Sequence, residues 1–198
     1  MQRRAGGWVL IGLLLVTGCA GVARGLQDPA WQQILQTAEA RKDRREVGTV
    51  EGLLYLRQPG VPTPLRNAPV TLIPLTPQLE AAVADARAQY ATGGFQPLSP
   101  EAFAQAHRPI TVAVQRLRAS RYRDLAQEVK TASSADPEFR FHNVPAGRWL
   151  LLAELPSSVS TLLWAVPVTV TAETITRQSL NDETVWIEGL TPKPDSAP

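Results

Sequence analysis

The stretch that most restricts the fold is "EFRFHNVPAGRWLLLAEL", residues 138–155. Phe139 and Phe141 alternate onto one face of an extended chain, and side chains two apart share a face. "NVPAG" then turns the backbone, with Gly147 free to take a positive φ, and Trp149, Leu151 and Ala153 return to the same core. The pair predicts a hairpin across a sandwich. On its second arm the alternation fails, because Leu150 and Leu152 point away from the core that Trp149 and Leu151 enter. A second apolar layer must cover them, or they form an exposed patch that binds a partner.

Similar short runs recur along the chain. "VGTVEGLLYL", "PVTLIPL", "EVKTAS", "TLLWAVPVTVT", "TITRQSL" and "TVWIEG" read as strands between Pro, Gly and Asn turns, while "RQPGVPTPLRNA" reads as a long turn. Eight runs spaced this way predict a mainly β fold, a sandwich. Between the second and third runs, about Thr76–Gln127, the composition shifts to Ala, Gln and Arg. "TPQLEAAVADARAQYA" has a Thr76 cap, Pro77 in the first position and Leu79, Ala82, Val83, Ala86 and Tyr90 on one face. "SPEAFAQA" starts a second helix at a Ser99 cap, and "ITVAVQRLRASRYRDLAQ" reads as a further one. These helices form an insertion, and the nearest cover for Leu150 and Leu152.

"TPLRNAPVTLIP" followed by "DPEFRFHNVPAGRWLLLAEL" resembles the carboxypeptidase regulatory-like family. The matching positions include Pro64, Asn67, Ala68, Val70, Leu72, Phe139, Phe141, Val144, Pro145, Gly147, Trp149 and Leu151. The resemblance implies a transthyretin-like (Ig-like) β-sandwich over 47–190, interrupted at about 76–127. It carries no peptidase activity with it, since in that family the sandwich is the noncatalytic partner. Asp136-Pro137-Glu138 stands where the family usually carries Asp-Gly, so the local turn differs.

The N-terminus reads as an export signal: Arg3 and Arg4, an apolar segment of about Trp8–Val16, then small residues. That segment is short for a bilayer span, which needs roughly 20 residues. "VTGC", with Cys19 the chain's single cysteine, resembles a bacterial lipobox, implying cleavage after residue 18 and lipidation of Cys19 (a diacylglyceryl group and a further acyl chain). Two or three acyl chains hold a protein firmly on a membrane. Localisation is then the bacterial envelope, at the outer membrane facing the periplasm. Residues 19–46 become anchor, spacer and a helix from about 29 to 43, capped by Asp28. Its Trp31, Ile34, Leu35 and Ala38 pack on the domain, and its basic end offsets the helix dipole. The competing reading is docking on anionic head groups.

The whole chain has 20 Lys and Arg against 18 Asp and Glu. Loss of Arg3 and Arg4 with the signal leaves 18 against 18, which removes the main support for a nucleic-acid partner. Catalysis has little to draw on: His107 and His142 are the only histidines, 35 residues apart, with no free cysteine after lipidation. No catalytic residue, metal site or cofactor is expected. Arg116, Arg118, Arg121 and Arg123 form the densest basic group, a solvated surface or a contact for anionic lipid or polymer. Trp164 and Trp186 are the first candidates for a sugar-stacking platform, although strand tryptophans more commonly belong to the core. The expected function is a noncatalytic protein-binding or assembly module, with envelope glycan as the alternative ligand. The Pro-rich tail, 191–198, is expected to be disordered.

Overall fold

A computed structural model describes residues 29–58, 61–133 and 137–192. Cys19, the signal segment, the Asp28 cap, Asp136 and the tail from residue 193 lie outside them.

The core is a β-sandwich. One sheet has three strands, in the order β6 (Glu138–Pro145), β1 (Val47–Leu53), β9 (Ile175–Arg177). The other has five, in the order β10 (Ile187–Leu190), β8 (Ser160–Val170), β7 (Gly147–Pro156), β4 (Pro69–Pro74), β5 (Gln127–Lys130). Strand β1 pairs antiparallel with β6 and parallel with β9. Its register with β6 slips between Gly48 and Val50, where Asn143 takes a positive φ of 55°, a bulge that keeps Phe141 and Val144 both facing inward. The two arms of 138–155 do not pair with each other: β6 lies in the small sheet and β7 in the large one, so the turn carries the chain across the sandwich. Gly147 at the turn has φ 148°, a value that glycine reaches without a Cβ penalty.

The dry interior collects Val50, Phe139, Phe141 and Val144 from the small sheet and Val70, Leu72, Trp149, Leu151 and Trp164 from the large one. Leu150 pairs with Ile73 and Pro167, and Leu152 with Thr71 and Ala165, on the opposite face. Helices α2 (Pro77–Thr92) and α3 (Pro100–Arg118) cover that face. The failed alternation thus marks a three-layer arrangement, and the apolar-patch alternative for Leu150 and Leu152 is overturned. Both are buried, 0% and 6% exposed.

Thr76 caps α2 by accepting from the Leu79 N–H at 3.2 Å, and Ser99 caps α3 by accepting from that of Ala102 at 3.3 Å. Each is followed by proline in the first turn, where the missing N–H costs nothing. Two expectations need correction. Residues 100–118 form one helix running through Pro109 rather than two; burial of Ile110 and Leu117 on one face holds it together. The "long turn" contains a hairpin of its own, β2 (Tyr55–Gln58) with β3 (Val61–Pro64), whose prolines hid it because β3 is an edge strand that can spare the donors. Among the described residues ten strands therefore stand in place of the eight expected runs.

Helix α1 (Pro29–Asp43) buries Trp31, Leu35 and Ala38 against the domain. Its end is tied down by the Arg41 guanidinium, which donates to the Ala146 carbonyl at 2.6 Å. The edge of β10 is not open: the α2–α3 connection reaches it at Leu98, whose N–H donates to Glu188 at 2.8 Å and whose carbonyl accepts from Leu190 at 2.8 Å. Phe103 packs so closely over Gly189 that a Cβ there would lie 2.2 Å from the ring.

Candidate functional site

Helix α3 crosses the outer face of the large sheet, from Phe103 above β10 to Arg118, whose guanidinium donates to the Glu128 carboxylate on β5. Along one flank it stands off the strands and leaves a groove of about 420 Å³. The floor is apolar, with Leu152 and Leu163 meeting Ile110 and Val114 of the helix. The rim is polar, with His107, Thr111 and Gln115 from α3 and Thr71 and Glu154 from the sheet. Their positions follow from helical spacing, since residues 107, 111, 114, 115 and 118 share one side of α3. An apolar floor bounded by convergent hydrogen-bonding groups is the usual composition of a ligand site.

His107 is half-buried, and that burial holds its imidazole below the ordinary histidine range, with Glu154 pulling the other way. A neutral ring at pH 7 can donate and accept one hydrogen bond each. His142 is exposed on the outer face of the small sheet, with both sheets between the two imidazoles. Among the described residues no group of three His, Cys, Asp or Glu side chains is placed to hold a metal ion.

The tryptophan platform is overturned. Trp164 is 0% exposed and its indole N–H donates to the Asn181 carbonyl at 2.7 Å. Trp186 is 4% exposed and donates to Val83 at 2.8 Å. Each ring is spent on the core and each polar edge on a backbone carbonyl, so neither offers a face to a sugar.

The four arginines do not form one basic surface. Arg116 lies on the flank of α3 facing α1, and Arg118 on the opposite flank at the groove. Arg121 stacks 4.5 Å above the Tyr122 ring and faces Glu39 of α1 at 3.9 Å. Arg123 sits beside Asp124 at 4.0 Å. Two of the sequence candidates, Leu152 and Arg118, do meet in the groove. The sequence reading missed His107 and Glu154 as its other end, because they are 47 residues apart and only the crossing of α3 over β7 brings them together. The fourfold spacing His107–Thr111–Gln115 was the one legible signal.

The outer face of the small sheet carries a second cluster. Glu51, 15% exposed, lies between Arg140 at 2.7 Å and Arg177 at 3.0 Å. The hydrogen bond from Arg177, with both guanidinium charges beside it, holds the Glu51 carboxyl below its ordinary range. One carboxylate between two guanidiniums leaves the cluster a net positive charge, and its ion pairs tie β6 and β9 to β1.

No family model matches this chain, and no curated protein does. Among solved structures it is similar to a candidate carbohydrate-binding protein from Pseudomonas aeruginosa, at 20% identity and a TM-score of 0.42, over 74% of this chain and 95% of that one. It is also similar to a minor pilin from Streptococcus agalactiae, at 12% identity and a TM-score of 0.39, over 77% of this chain and 48% of the pilin.

Proposed function

We propose that this chain is a lipid-anchored protein of the bacterial cell envelope, held through lipidated Cys19 at the outer membrane and facing the periplasm. Its sandwich is of the carboxypeptidase regulatory-like, transthyretin-like type, performs no catalysis, and binds another envelope protein through the groove beside α3. The anchor rests on the placement of "VTGC" at the end of the apolar run. The binding role rests on one observation: the insertion forms a wall of the groove, and the groove combines an apolar floor with Arg118 and Glu128 at one end and His107 and Glu154 at the other. A peptide segment with one or two apolar anchors and polar flanks matches that composition.

The second reading, a glycan ligand, draws on the same groove. Thr71, Thr111, Gln115 and Glu154 are donors and acceptors of the kind that sugar hydroxyls use. It is the weaker reading because the groove presents no tryptophan or tyrosine ring for stacking.

In-cell photocrosslinking tests the two. A crosslinker at Gln115 is expected to trap one discrete protein, one at Arg140 on the far sheet is not, and Thr111→Arg, which fills the groove, is expected to abolish the adduct. Absence of a protein adduct, with envelope polysaccharide retained and then lost on Thr111→Arg, transfers the assignment to glycan. Cys19→Ser is expected to move the protein from the membrane to the soluble fraction; unchanged membrane association rejects the anchor.

A further inference from the structure

The groove beside α3 carries an uncompensated charge. Strand register sets which sheet side chains face it. Leu152 and Glu154 are two apart on β7, Leu152 pairs with Thr71 of β4, and Glu154 pairs with Leu163 of β8, so all four project on the side that α3 covers. Three charged side chains border the groove, Arg118, Glu128 and Glu154. Arg118 donates to Glu128, which neutralises one end. Among the described residues no ion pair or hydrogen bond engages the exposed Glu154 carboxylate, and the titratable group beside it, His107, is held neutral by burial. One guanidinium against two carboxylates leaves a single negative charge at the His107 end.

That charge restricts what the groove can hold. A segment lying on Leu152 and Leu163 covers Glu154 and strips its water, and a covered carboxylate without a cation is strongly unfavourable. Neutral His107 offers it at most one N–H. Arg118, engaged with Glu128 at the far end, does not answer it. From His107 to Arg118 the helix rises about 16 Å, the reach of roughly five extended residues.

We propose, resting on the protein-binding reading of this groove, that the bound partner segment carries a lysine or arginine seated against Glu154, with its apolar side chains on Leu152 and Leu163 toward the Arg118–Glu128 end. An acidic segment is selected against, because it sets a second carboxylate beside Glu154.

The test uses the native chain in cells with the photocrosslinker at Gln115. The partner peptide joined to it, sequenced by mass spectrometry, is expected to hold a Lys or Arg within about five residues of the crosslink. Glu154→Gln is expected to lower adduct yield roughly two- to fivefold, and Glu154→Lys at least roughly tenfold, since it brings two cations face to face. Glu138→Lys, on the outer face of the small sheet, makes the same change in net charge away from the groove and is expected to leave the yield unchanged. Replacing the mapped Lys or Arg of the partner by Glu is expected to restore the adduct of Glu154→Lys. Thermal unfolding confirms that each variant is folded. The proposal is overturned if folded Glu154→Lys retains full yield, if Glu138→Lys loses as much, if the charge swap restores nothing, or if the joined peptide holds no cation. Those outcomes leave the protein-binding reading standing. Absence of an adduct with another protein, including a crosslink only to residues 193–198 of this chain, overturns both.

Discussion

The indole N–H of Trp186, in the segment entering β10, donates to the carbonyl of Val83 in the middle of α2 at 2.8 Å, with both residues buried. The insertion is therefore stitched to the last strand of the sandwich. Trp186→Phe is expected to cost about 1–3 kcal/mol, from the lost bond and unfilled volume. Trp186→Ala is expected to cost about 3–5 kcal/mol. Removing residues 76–127 bares Ile73, Leu150 and Leu152, and the product is expected to lose its cooperative urea transition rather than leave a folded sandwich.

Gly189 lies beneath Phe103 with no room for a methyl group. Gly189→Ala is expected to destabilise by about 1–3 kcal/mol, the usual range for overpacking. Phe103→Ala in the same chain is expected to recover part of the loss, and a double-mutant cycle measures the coupling. Additive effects would place the ring elsewhere.

Arg87, half-buried, donates to the carbonyls of Val185 and Trp186 at 2.8 and 2.7 Å and lies 5.0 Å from the exposed Phe95 ring. Two carbonyls held by one planar guanidinium are poorly served by an ammonium. Arg87→Lys is thus expected to recover little of the roughly 1.5–3 kcal/mol lost in Arg87→Ala, as measured by denaturant midpoint.

Stability is expected to fall with acid in two windows. Burial lowers the folded-state pKa of His107, so the unfolded chain takes up this proton first. The contribution is complete above about pH 6.5 and is lost as pH falls from there through the folded value. The carboxyls of Glu46, Glu51 and Glu80 are lowered chiefly by hydrogen bonds from Arg44, Arg177 and Arg148 respectively. Their contribution is present above the unfolded carboxyl range and is lost below about pH 4.5. His107→Gln is expected to flatten the upper window and Glu51→Gln part of the lower, read from melting temperature against pH.

The sandwich was legible because its signals are local. Phe139 and Phe141, the Gly147 turn and the double-sided leucines of β7 each follow from period-two reasoning, and the last correctly demanded a third layer. The proline caps of α2 and α3 were equally local. Pro109 misled because a proline inside a helix usually ends it, and tertiary burial of Ile110 and Leu117 overrode that tendency. The groove was mostly hidden: its floor and rim come from five elements, and no spacing along the chain encodes where α3 crosses β7. The buried environment of Trp164 and Trp186 was the more common reading of strand tryptophans, and it is the one the structure takes.

The five-stranded sheet ends, in sequence, with β10, which closes beside β8 and beneath Phe103 and Leu98. A chain emerging from its N-terminus thus completes both sheets' other strands and both inserted helices before it has the strand that lets them settle. Until residues 186–190 arrive, Phe103 has no Gly189 to cover and the Val83 carbonyl no indole to accept from. The last strand in sequence is therefore the one on which the inserted helices and the large sheet are locked together.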